Sequence, residues 1–338
     1  MSKFEKDFSE LRIITGSQHY PLFNSVVEQL LEETGPYIGS LPKLLVKSNA
    51  HKFSNENIKV KIEDSIRGCD VYVVQPCYPD LNERIMELLI LIDALKNALA
   101  ERVTVVLPYY PYVRSDKKDD SRISITARLI ADLLPASGAD RVITLNLHSP
   151  QIQGFFRIPV DHLLPGRIIY DYFTTNTDLS NTVIVAPDAG SAKMVSYYSK
   201  KFKLPFAMID KRRTDDTEKP QILSVVGDVK DKNCLIFDDE ISTGNTLFNA
   251  VIKLKSMGAN SISACLVHGV LHKDICNKLD SSPIDSIFIT DTIYRPNIAS
   301  IVYNPKIKII SLATMFSKAI LCTHLNQSMT DIFDRYQI

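Results

Sequence analysis

The chain has 338 residues, 39 basic and 39 acidic side chains that cancel to a formal charge of zero, and six cysteines. The length exceeds what one core usually serves, so two domains are expected, and the charge balance lends no support to a nucleic-acid partner. Cys69, Cys77, Cys234, Cys265, Cys276 and Cys322 contain no Cys-x-x-Cys pair, which favours buried reduced thiols over disulfides or zinc.

The N-terminal residues are charged and lack an apolar signal core, and the greasiest run, Leu88 to Leu95, is interrupted by Asp93. No segment reaches membrane-spanning length, so a cytoplasmic location without membrane contact is expected.

Strand-like apolar runs begin at Val71–Val74 and Val103–Leu107, with the helical spacing Ile85, Leu88, Leu89, Ile92, Leu95, Leu99 between them. Pro108 to Arg122 follows as an aromatic and proline lead into mixed charge, a composition suited to a mobile loop over a polyphosphate, or to a plain solvated loop. In it, Arg114, Lys117 and Lys118 are candidates to neutralise a transferring phosphoryl group.

The run Val142–Leu145 leads into Asn146-Leu147-His148, placing an imidazole at a strand tip. Val183–Ala186 leads into Asp188-Ala189-Gly190, a carboxylate and small-residue turn suited to magnesium and diphosphate oxygens. Asp210-Lys211-Arg212-Arg213 closes another apparent strand with three cations.

A further strand, Leu235-Ile236-Phe237, is expected to stop at Asp238-Asp239, with a helix from about Leu247 carrying Ala250, Val251 and Leu254 on one face. Between them, Thr243, Gly244, Asn245 and Thr246 suit a phosphate monoester at a helix N-terminus, while the carboxylates suit ribose hydroxyls or a cation. Runs at Ile262–Val267 and Ile287–Ile289 complete an alternation of strands and helices, and Ser317 to Ile338 reads as a helix plus tail. Alternation of this kind implies α/β architecture, with parallel sheets and ligands at the carboxyl ends of the strands. The chain has no Gly-x-Gly-x-x-Gly and no Gly-x-x-x-x-Gly-Lys among its twelve glycines, so the usual dinucleotide and P-loop cradles are absent.

Taken in order, these motifs resemble the ribose-phosphate diphosphokinase (PRPP synthetase) family from Gly16-Ser17 to Phe333. The resemblance rests on Phe53-Ser-Asn-Glu, Asp64 to Val71, Met86 to Lys96, Pro108-Tyr-Tyr with Arg114 to Asp119, Leu147 to Phe156, Pro187 to Gly190, Asp210 to Arg213, Val226 to Lys230 and Asp238 to Thr246. It implies two similar doubly wound parallel-sheet domains of phosphoribosyltransferase type, at 8–163 and 164–316. The helix and tail at 317–338 would pack back on the first.

The implied reaction moves the β,γ-diphosphoryl group of Mg-ATP to the 1-hydroxyl of ribose 5-phosphate, giving 5-phosphoribosyl 1-diphosphate and AMP for nucleotide biosynthesis. By resemblance, Lys211, Arg213, Lys117 and Arg114 are catalytic. ATP falls to Phe53, Asn55, Asn57, Arg114, Ser115, Asp116, Lys117, Asp119 and His148. Ribose 5-phosphate falls to Arg213, Asp238, Asp239, Ser242, Thr243, Gly244, Asn245 and Thr246, and the diphosphate turn is Asp188 to Ser191. His148 and Asp188 match magnesium ligands.

Phe53, Asn55 and Asn57 match a loop that grips adenine in a neighbouring subunit, which implies a homo-oligomer of dimers, commonly a hexamer. Ser65, Arg67, Lys118, Ser328, Thr330 and Phe333 match parts of an allosteric site. The chain departs from the family pattern at Asn57, Ser115, Asn146, Ser191, Ser242 and Asn245. Those departures leave open an alternative, a non-catalytic or weakly active regulatory subunit of such an enzyme.

Overall fold

The computed structural model describes residues 10–17, 21–34, 44–212, 221–272, 274–293, 304–330 and 332, with backbone alone at 211–212 and 221–223. These residues fall in two compact units, one within Met1–Leu164 and Leu312–Phe333, the other within Pro165–Ser311.

The first unit runs β1 (Leu11–Ile14), α1 (Pro21–Thr34), β2 (Ser48–Lys52), β3 (Ile58–Ile62), β4 (Asp70–Val74), α2 (Leu81–Asn97), β5 (Arg102–Leu107), α3 (Thr126–Ala136), β6 (Arg141–Leu145) and β7 (Val160–Leu163). Its five-stranded sheet has the order β1-β4-β5-β6-β7 and is parallel throughout. All residues of β4 are buried, as expected of a parallel strand covered on both faces.

Helix α2 buries Ile85, Leu88, Leu91, Ile92 and Leu95. It ends at Asn97, so Leu99 does not continue the apolar stripe: its φ is 65° and half of its surface is exposed. Strands β2 and β3 stand apart as an antiparallel ribbon.

The second unit runs α4 (Gly166–Asn176), β8 (Thr182–Ala186), α5 (Ala192–Phe202), β9 (Phe206–Arg212), β10 (Gln221–Val226), β11 (Asn233–Ile241), α6 (Asn245–Ser256), β12 (Ser261–Gly269), α7 (Ile275–Ser281), β13 (Ser286–Thr290) and β14 (Ile307–Ile310). Its seven-stranded sheet has the order β10-β9-β8-β11-β12-β13-β14. Only the edge strand β10 is antiparallel to its neighbour; the other pairs are parallel. From β8 the chain builds outward through β9 and β10, then returns to place β11 on the other side of β8. That reversal makes the β8–β11 crevice the topological switch point, where open α/β sheets bind their ligands.

Beyond β14 the chain rejoins the first unit as α8 (Ala313–His324), which packs on α1 and places Thr314 Oγ1 3.1 Å from Gln29 Oε1. Its last turn reaches the buried Asp70 at the start of β4, through His324 Nδ1 at 2.8 Å. Arg102 Nε donates to the same carboxylate at 2.8 Å, and the Arg102 guanidinium also donates to the Thr323 carbonyl at 3.3 Å. Burial alone would raise the Asp70 carboxyl, but hydrogen bonds from His324 and Arg102 outweigh it and hold the group below its ordinary value.

The six cysteines form no disulfide with one another, and all but Cys322 are buried. No described helix is long and apolar enough to cross a membrane.

Candidate active site

In the second unit, β8 ends at Ala186 and its partner β11 runs on past it, from Phe237 to Ile241. The carboxylates Asp238 and Asp239 therefore lie inside β11, not beyond its end, because Asp238, Glu240 and Ile241 continue the ladder onto β12. Asp188, two residues past β8, stands on the other side of the same switch point. Phe237 stacks on Tyr198 of α5 with ring centres 4.1 Å apart, so an apolar floor lies directly before the carboxylates. Burial, then the nearby Asp239 and Asp188 charges, push the Asp238 carboxyl well above the usual range. Such like-charge crowding is relieved by a cation or by donors from a polyhydroxyl ligand.

Asp188 Oδ1 accepts the Gly190 N–H at 3.0 Å and the Ser191 N–H at 3.3 Å, folding the expected diphosphate turn on itself ahead of α5. Ser191 Oγ donates to the Asp188 carbonyl at 3.1 Å, so its hydroxyl tightens this turn. Ala189 and Gly190 are exposed.

The loop from Ser242 to Thr246 turns at Gly244, whose φ of 74° is left-handed. A Cβ there would come within 2.6 Å of Phe248 and 2.7 Å of Ile275, so glycine is required both for conformation and for space. Helix α6 starts at Asn245, two residues earlier than the apolar pattern suggests, and places Asn245 and Thr246 in its first turn. The backbone N–H groups of that first turn, with the Ser242, Thr243 and Thr246 hydroxyls, have the chemistry that suits an anion.

In the first unit, β6 gives way to Asn146, which is buried and adopts φ 46°. The Leu147 N–H is then taken by His162 Nε2 of β7 at 2.9 Å, and His148 emerges exposed. Asp161, a further acidic residue of β7, is paired with Arg141 at 2.7 Å.

The loop after β5 is tied at its base by Ser115. Its carbonyl accepts the Ala127 N–H at 3.1 Å and its hydroxyl accepts the Thr126 N–H at 3.3 Å, joining it to the start of α3. Arg114, Lys117, Lys118 and Asp119 are exposed around that base, with Asp116 half-buried. Phe53, Asn55 and Asn57 form the tip of the β2–β3 hairpin, where the Phe53 N–H donates to the Asn57 carbonyl at 2.8 Å. Phe53 is 44% exposed, with its ring edge-on to His51 at 5.0 Å between ring centres.

Ser65 and Arg67 are exposed before β4, and Ser328 and Thr330, their hydroxyls 2.7 Å apart, are exposed after α8. Lys211 lies in β9, where the backbone alone is described; Arg213 and Phe333 lie outside the described residues.

Among the described residues no three His, Cys, Asp or Glu side chains form a ready-made metal centre.

A parallel sheet with carboxylates flanking its switch point and a hydroxyl-rich turn at a helix N-terminus is an α/β architecture suited to a sugar-phosphate ligand. Sequence profiles narrow this further. That of the N-terminal domain of ribose phosphate pyrophosphokinase matches residues 11–138, and that of the phosphoribosyl synthetase-associated domain matches residues 212–334. The ribose-phosphate pyrophosphokinase of Caldanaerobacter subterraneus subsp. tengcongensis is 41% identical over 96% of this chain and 98% of its own length. That of Clostridium perfringens is 39% identical over 97% and 99%. The crystal structure of phosphoribosylpyrophosphate synthetase from Mycobacterium smegmatis superposes with a TM-score of 0.82 at 34% identity, covering 94% of this chain and 100% of that one. The chain belongs to the ribose-phosphate pyrophosphokinase family, with the two phosphoribosyltransferase-type domains of that fold.

Proposed function

We propose that the chain catalyses diphosphoryl transfer from ATP to the 1-hydroxyl of ribose 5-phosphate, forming 5-phosphoribosyl 1-diphosphate and AMP. The observation that carries this reading is the conjunction, at one switch point, of Asp188, Asp238 and Asp239 with the Gly244 turn. Full-length relatives named for this activity support it over the regulatory-subunit alternative.

In this reading the 5-phosphate docks on the N–H groups and hydroxyls of Ser242 to Thr246, and Asp238 and Asp239 accept hydrogen bonds from the ribose hydroxyls. Binding at both ends fixes the 1-hydroxyl for attack on the β-phosphorus, which removes most of the entropic cost of the encounter. Phe53, Asn55 and Asn57 stack on and hydrogen-bond the adenine, from a neighbouring copy of the chain. Arg114, Lys117, Lys211 and Arg213 balance negative charge as the diphosphoryl group leaves AMP.

Asp188 and His148 are the residues that would hold magnesium, and the crowding felt by Asp238 is the feature that fits a cation. Bound there, the ion would screen the phosphate charges of ATP. A cytoplasmic, homo-oligomeric enzyme completes the proposal, with Ser65, Arg67, Lys118, Ser328, Thr330 and Phe333 as an allosteric surface. The test is nucleotide separation after incubation with Mg-ATP: AMP should accumulate only when ribose 5-phosphate is present. ADP as the product, or AMP independent of the sugar, would refute the proposal.

A further inference from the structure

The sugar-phosphate loop is held from outside by residues of the β12–α7 connection and of α7 itself. Leu271 N–H donates to the Ile241 carbonyl at 3.0 Å, and His272 N–H donates to the Ser242 carbonyl at 3.0 Å. Ile275 closes the space beside Gly244. One turn along α7, the Lys278 ammonium donates to the Thr243 carbonyl at 2.8 Å and to Asn245 Oδ1 at 2.7 Å.

The Thr243 carbonyl and the Gly244 N–H belong to one planar trans peptide, in which C=O and N–H point in opposite directions. A cation anchored on that carbonyl therefore turns the Gly244 N–H away from α7, toward the open side of the loop. It also polarises the peptide, making the N–H a stronger donor to an anion. No residue from Ile241 to Thr246 is basic, so the loop carries no positive side chain of its own. Asn245 supplies the second anchor for the same ammonium.

We propose that Lys278 is a positioning residue for the 5-phosphate of ribose 5-phosphate, acting through the Thr243–Gly244 peptide and the Asn245 side chain. The proposal rests on the loop being the sugar-phosphate site. It predicts a defect in affinity for the sugar phosphate alone, since α7 touches the outside of that loop.

Initial rates with purified wild type, Lys278→Met and Lys278→Arg, varying ribose 5-phosphate and ATP separately, test it. Lys278→Met should raise KM for ribose 5-phosphate about tenfold while kcat and KM for ATP change by less than about twofold, and Lys278→Arg should recover most of the loss. The gap between wild type and Lys278→Met should narrow with added salt, because a charge effect is screened and a packing effect is not. An unchanged KM for the sugar in Lys278→Met, or equal losses in all three constants, would overturn the assignment. Should wild type itself make no AMP, the proposed reaction fails, and calorimetric titration of wild type and Lys278→Met with ribose 5-phosphate still decides the role of Lys278. Equal affinities in that titration would overturn it.

Discussion

His162 Nε2 accepts the Leu147 N–H at 2.9 Å, one residue before His148. The backbone ladder between β6 and β7 ends just there, with Asn146 N–H on the Leu163 carbonyl at 2.9 Å, so a side chain takes over from the main chain in directing the turn. Leu147 is buried, and leaving its N–H without an acceptor costs about 1–3 kcal/mol. His162→Leu should therefore misplace His148 and lower kcat about tenfold. His162→Gln, whose amide oxygen can stand where Nε2 stood, should stay within about threefold of wild type. Equal activity of the two variants would remove His162 from the site's support.

Gly244→Ala forces a methyl group into the positions of Phe248 and Ile275 at a φ of 74°. Relief requires the loop to move, so KM for ribose 5-phosphate should rise by more than about tenfold, while thermal stability falls by about 1–3 kcal/mol. Rates measured against each substrate in turn check this. An unaltered KM for the sugar would contradict the loop's role.

Asp70 joins β4, β5 and α8 through Arg102 and His324. Its carboxyl is held below the ordinary value in the folded chain, so its stabilising contribution is complete above the unfolded-state value and is lost as pH falls through the folded one. Asp70→Asn should destabilise the first unit by about 3 kcal/mol at neutral pH, because it leaves Arg102 partly buried without its carboxylate. The difference from wild type should shrink below roughly pH 4, where the carboxyl begins to protonate in unfolded chains. Urea unfolding at stepped pH, followed by far-UV circular dichroism, gives both quantities. A difference that grows toward acid would show the sign to be wrong.

Much of this site was legible in the sequence because strand tips, carboxylates and hydroxyl-rich turns are local features. The pairing of Asp188 with Asp238 and Asp239 at one switch point was not, since strand order depends on where β9 and β10 go before β11 returns. Asp238 and Asp239 read as the end of a strand because polarity begins there, yet pairing with β12 extends β11 to Ile241. The antiparallel β10 and the exposed Leu99 likewise escaped a reading by periodicity, the first for want of a pairing signal and the second because the helix had already ended. Lys278 lies on a short helix far along the chain from the loop it braces, and no spacing rule links them. His162 was equally hidden, since only the end of the β6–β7 ladder gives its ring a partner.

Transfer of the intact β,γ-diphosphoryl group to the anomeric hydroxyl distinguishes the proposed reaction from an ordinary phosphoryl transfer or a hydrolysis. ATP carrying heavy oxygen on the non-bridging positions of its β-phosphoryl group, supplied with magnesium and ribose 5-phosphate, tests it: the isotope shift in the phosphorus NMR spectrum locates the label. Label should appear in a diphosphate bonded to C1 of the sugar, with unlabelled AMP released in equal amount. Label remaining in ADP, or appearing in free phosphate or diphosphate without the sugar product, would contradict it.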